Sequence, residues 1–198
     1  MVMPAMLVWP MAMASELPDV TLHAVASGAT LRTGFAGHGT HVLPEVVYLK
    51  GELARVEFLD GADTEYVLRD SRARNSWLIN EHRQVALPLG NGPTARQYVY
   101  ALDKPCADFG GGTCSKGDGS TIAGRAVVAW RYRNAGHAGP DGSDSGTMYL
   151  DAVSGLLLGY ESQDLSGRPM KWTVTTVTFG DLDPKLFQLP PAAPKKPL

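Results

Sequence analysis

The sequence predicts an α+β protein that is mainly β: an unclosed antiparallel half-barrel with one covering amphipathic helix. Three observations carry this. Short alternating runs recur at roughly ten-residue spacing through residues 20–87 and again beyond 121, parted by Gly, Asp, Asn and Ser turns. Within 146–190 lie three β-patterned stretches, 147–151, 156–165 and 170–179, separated by Val153-Ser154-Gly155 and Ser166-Gly167-Arg168. One helical stripe interrupts the pattern: Ala95, Tyr98, Val99 and Leu102 follow the i, i+3, i+4, i+7 spacing behind Pro93, a residue favoured in a first helical turn. Strands of this kind twist and coil, and a helix laid in their concavity makes a half-barrel.

The elements follow in order. Residues 1–14 end on Ala12-Met13-Ala14 after an apolar run, the pattern at the tail of a secretory signal peptide, although no Lys or Arg precedes Arg32. The expected domain is 15–190. Residues 20–26 alternate and form a first strand, and 28–39 are a Gly/Thr/His-rich segment with weak patterning. Residues 45–50, 53–59, 64–70, 76–79 and 84–87 then form a meander, with Gly51-Glu52 and Asp60-Gly61 as hairpin turns. The helix is expected over 93–102, ending at Asp103-Lys104-Pro105. Strand pattern resumes at Thr121, with Ala126, Val128, Trp130 and Tyr132 on one face.

In the last long run Met170, Trp172 and Val174 share one face, yet Val177 and Phe179 are the next apolar pair. An extra residue at Thr175-Thr176, a β-bulge, restores one buried face. The hairpin before it is expected to turn through the three residues Ser166-Gly167-Arg168, which sets Tyr160 opposite Val174. The tail 191–198 is Pro-rich and expected to stay unpacked.

Composition narrows the function. Apolar residues at 44% suffice for a packed core in a chain of 198 residues, and the prior at that length is one domain. A net charge of −2 argues against nucleic acid, whose phosphates demand a concentrated basic surface. No apolar run reaches the length of a membrane-spanning helix. The two cysteines, Cys106 and Cys114, bracket a Gly-rich loop and suit a local disulfide in an oxidising compartment.

Motifs for catalysis are weak. His38-x-x-His41 with Glu45 beyond it has metal-ligand residue types but no fixed geometry, and solvated loop histidines are the default. Gly142-Ser143-Asp144-Ser145-Gly146 carries Asp where a hydrolase elbow needs Ser. Gly110-Gly111-Gly112 lacks the Gly-Lys-Ser/Thr of a phosphate loop. The expectation is a protein that is not an enzyme and has no cofactor.

What recurs instead is bulky apolar and aromatic residues assigned to one inner face. Phe58, Tyr66, Leu68, Trp77, Ile79, Val128, Trp130, Tyr160 and Trp172 are expected on the sheet, and Tyr98, Val99 and Leu102 on the helix. These form either the lining of a cavity or an ordinary filled core, and the sequence leaves both open.

The segments 48–58, 65–89, 122–132, 146–167 and 179–190 resemble, in order and wording, the LolA/LolB/LppX-like superfamily of outer-membrane lipoprotein-sorting proteins and their DUF4412-type relatives. The matching positions are Lys50, Gly51, Arg55, Gly124, Arg125, Trp130, Tyr149, Leu150, Asp151, Gly155, Asp183, Pro184, Phe187 and Pro190. The resemblance implies an unclosed barrel in the periplasm or cell envelope. Its hydrophobic cavity would hold a lipid or lipoprotein acyl chain. The alternative expectation is an envelope structural or interaction module with a filled core and no small-molecule ligand, which leaves room for an envelope protein partner. The Cys-bracketed glycine loop departs from the sorting chaperones.

Overall fold

The computed structural model describes residues 18–28, 42–59, 65–71, 73, 75–89, 97–163 and 167–191. The leader, the His38/His41 segment, residues 90–96 and the tail 192–198 lie outside these. Eleven strands form one antiparallel sheet. The N-terminal meander comprises β1 (Val20–Gly28), β2 (Val42–Lys50), β3 (Leu53–Phe58), β4 (Glu65–Asp70), β5 (Asn75–Asn80) and β6 (Val85–Pro88). The C-terminal one comprises β7 (Thr113–Ile122), β8 (Arg125–Arg133), β9 (Gly146–Asp151), β10 (Leu157–Gln163) and β11 (Pro169–Phe179). The spatial order is β6-β5-β4-β3-β2-β1-β11-β10-β9-β8-β7, so the halves meet where β1 pairs with β11 and the edges β6 and β7 stay apart. The sheet is unclosed.

Three expectations about elements change. Residues 97–102 are not helical. Val99 bridges Leu156, Tyr100 N donates to Gly155 O at 2.9 Å, and Leu157 N donates to Tyr98 O at 2.7 Å. Burial there has period two: Tyr98 and Tyr100 are buried while Val99 is 40% exposed. A helical stripe requires Tyr98 and Val99 on one side, and here they face opposite ways. Among the described residues the helical elements are short 3-10 turns, so the class is mainly β without the covering helix.

The second change is β7, whose residues TCSKGDGSTI have no apolar alternation because the strand is an edge with little buried surface. The third is the β10–β11 register. Tyr160 faces Trp172, not Val174, and the strands end at Gln163 and Pro169, a wider connection than three residues. Stacking of the two rings, with centroids 6.3 Å apart and planes at 14°, accompanies that register.

The bulge is present where the apolar phase changes. His23 pairs with Thr176 and Ala24 with Val174, leaving Thr175 as the extra residue, and its hydroxyl donates to His23 O at 3.1 Å. Met170, Trp172, Val174 and Val177 therefore contribute to the same core as Leu22, Ala24 and Ala26.

The register defines two faces. Leu22, Val47, Val56, Val67 and Leu78 form one cross-strand row, on what we call the inner face. The main core lies there and continues through Trp172, Tyr160, Met148 and Leu150. A second, separate core of Tyr66, Leu68, Trp77 and Ile79 lies on the opposite, outer face of β4 and β5.

Candidate functional site

The predicted residues thus fall on two sides of the sheet. Phe58, Val128, Trp130, Tyr160 and Trp172 share the inner face, and Tyr98 and Leu102 pack against it. Tyr66, Leu68, Trp77 and Ile79 are on the outer face, and Val99 points away from the core. The expectation of one common face is corrected by pairing. Val56 faces Val67 and Val67 faces Leu78, so the intervening Tyr66 and Trp77 project the other way. Alternation within each strand cannot reveal this, because both faces of β4 and β5 are apolar.

The inner face is filled by the chain itself. Trp172, Tyr160, Met148 and Leu150 are fully buried. Tyr98 meets Trp172 edge-on at 6.1 Å, Tyr100 meets Phe109 at 6.4 Å, and Phe109 meets Tyr132 at 5.3 Å. Tyr100 and Phe109 are core residues outside the predicted set, and the signal for the first is the Tyr98-x-Tyr100 alternation of a strand. The Cys106–Cys114 disulfide closes the loop that carries Phe109. A disulfide across so short a loop contributes about 2–3 kcal/mol by chain entropy. From the other side, Tyr132 and Ser143 hydrogen-bond, and the Tyr160 hydroxyl donates to Asp141.

Two charged groups fix this wall. Glu45, buried on β2, accepts from Trp172 Nε1 at 2.8 Å. Asp151 ends β9 and is 1% exposed. Burial pushes its carboxyl up. The Arg125 guanidinium, 2.6 Å away, and donors from Ser154 and Val153 overrule burial and hold the pKa at about 2. The folded value lies below the value of about 3.9 for an unfolded chain, so the stabilisation is full above it and fades as pH falls toward 2. Asp151→Asn is expected to cost about 2 kcal/mol at neutral pH, with the difference from the parent closing below about pH 2. Denaturant titrations across pH 2–7 measure it.

On the outer face, a half-open groove of about 300 Å³ runs between the sheet and the returning C-terminal segment. Leu53, Leu68 and Trp77 form one wall and Phe187 and Leu189 the other, with Arg69, Asp70 and Asn75 at its rim. Arg55 sits alongside, its guanidinium 3.6 Å over the Tyr66 ring. Burial pushes the Tyr66 hydroxyl pKa up to about 12, against the pull of Arg55. Neutral Tyr66 is therefore the form present at physiological pH.

Known structures share this architecture. MucB, solved in complex with MucA(peri), superposes with a TM-score of 0.53 at 16% identity over 88% of this chain and 55% of that one. An uncharacterized conserved protein from Thermus thermophilus superposes with a TM-score of 0.55 at 12% identity over 88% and 86%. The LolA superfamily protein NE2245 from Nitrosomonas europaea aligns over 87% and 90% at 11% identity, with a TM-score of 0.42. The chain shares the fold of MucB and of the Thermus thermophilus protein. It spans just over half the length of the MucB chain. No family model and no curated protein matches it, and the narrower DUF4412-type placement has no match behind it. On that fold this chain carries a disulfide-closed loop over the inner face and a groove on the outer one.

Proposed function

We propose that this chain is a non-catalytic, exported binding module of the cell envelope whose ligand is a protein partner. The carrying observation is the filled inner face. Trp172, Tyr160 and Met148 are fully buried, and Tyr98, Tyr100 and Phe109 occupy the space a lipid would need there. A half-barrel packed with its own aromatic rings has to bind through other surfaces. The disulfide favours an oxidising, extracytoplasmic compartment. MucB, of like fold, is solved with the protein MucA(peri), which makes a protein ligand compatible with this architecture. Native mass spectrometry of the protein taken from its own envelope tests the proposal. A co-purifying polypeptide is the expected result, and a stoichiometric lipid without one would overturn it.

A second reading has its own observation. The outer groove of about 300 Å³ is walled by Leu53, Leu68, Trp77, Phe187 and Leu189, which suits a single acyl chain. If a fluorescent fatty acid binds there, Trp77→Asp abolishes uptake while the main core stays folded. Retained uptake in that variant removes the groove as the site.

A further inference from the structure

Residues 181–190 return from the end of β11 and lie across the outer face. We propose that this segment is a releasable strap, clamped by Arg55, whose opening uncovers Tyr66, Leu68, Trp77 and Ile79 while the main core stays folded. The strap opens whichever ligand the module takes.

Four observations carry it. The second core is a separate cluster, divided from the main one by the sheet itself. Its cover is thin: the 3-10 helix Pro184–Phe187 has no fully buried residue, and Leu189 is 39% exposed. The cover is also underpacked, because the groove separates Phe187 and Leu189 from Leu68 and Trp77, and a second cleft separates Pro190 from Ile79 and Ala86. Apolar groups facing a gap lose their dispersion contacts on that side.

The remaining observation is how the strap is held, by a few polar contacts. Arg55 Nη1 donates to Leu186 O at 3.2 Å. At the near end Leu182 N donates to Asp19 Oδ2 at 3.0 Å, and Gly180 N to Asp19 O at 3.1 Å. Arg55 is itself positioned by Glu57, which accepts from its Nε at 2.7 Å, and by the Tyr66 ring. A segment with few buried contacts and a small polar hold opens below the global unfolding limit. Arg55 is a positioning residue in this device.

Hydroxyl-radical footprinting of the full chain tests the strap, because Trp77 is 3% exposed under it and Trp172 is fully buried in the main core. In Arg55→Ala, oxidation of Trp77 is expected to rise about fivefold or more with Trp172 unchanged, the mark of a sub-global opening. Asp19→Ala, which loosens the strap's other end, is the second variant and is expected to act in the same direction. Trp77 remaining as protected as Trp172 in both variants would overturn the inference. So would parallel rises at both tryptophans, which mean that the sheet opens as one unit.

Discussion

Trp172→Ala is expected to destabilise the protein by about 3–5 kcal/mol, among the largest effects of any single truncation here. The ring is fully buried, stacks on Tyr160 and receives the edge of Tyr98, so its removal leaves a cavity bounded by two other large side chains. It also withdraws an indole N–H from Glu45, a buried carboxylate. Loss of a hydrogen bond to a charged group is worth a further 1.5–3 kcal/mol or so. Trp172→Phe narrows the comparison, since it keeps one aromatic ring in the stack while losing the donor and part of the ring volume. Urea unfolding of both variants measures them. Equal stability of Trp172→Phe and the parent would mean that the indole N–H contributes nothing.

Gly155→Ala is expected to detach the segment that covers the inner face. Gly155 has φ +71°, and a Cβ there would lie 2.0 Å from Tyr100 O, the carbonyl of a residue whose own N–H bonds back to Gly155. Either the hairpin turn or the covering segment has to move. The conformational strain alone costs about 1–2 kcal/mol, and the collision adds to it. Gly167→Ala is the control, because Gly167 has φ +76° with open space around it and so carries strain without collision. Hydrogen exchange reads the outcome at Tyr100 N and Leu157 N, the two amides that tie the covering segment to the hairpin. Faster exchange at both in Gly155→Ala but not in Gly167→Ala is the expected result. Unchanged protection would show that the turn yields instead.

Much of the fold was legible in the sequence because the determinants are local. Turn residues at Gly51-Glu52 and Val153-Ser154-Gly155 and alternation within single strands depend on a few neighbouring residues. The bulge at Thr175 was legible for the same reason, since the apolar phase of one strand records it. Residues 97–102 are decided by distant partners. Tyr98, Val99 and Leu102 fit a helical stripe, and Tyr98 and Tyr100 fit a strand. Only the free backbone groups of Gly155 and Leu157, distant in sequence, select between them.

Local patterning is enough to specify a mainly β, antiparallel, unclosed sheet with a cysteine pair placed to bond. Tertiary structure alone decided which side of the sheet each aromatic residue faces. Tyr66 and Trp77 alternate as regularly as Phe58 does, and the difference lies in cross-strand pairing, where a shift of one residue exchanges the two faces. Tertiary structure also decided that the inner face is packed with Tyr98, Tyr100 and Phe109, and that the outer face carries a groove under the C-terminal strap. Composition and alternation report how much apolar surface a chain has to bury. The partners that bury it are chosen by contacts between residues far apart in sequence.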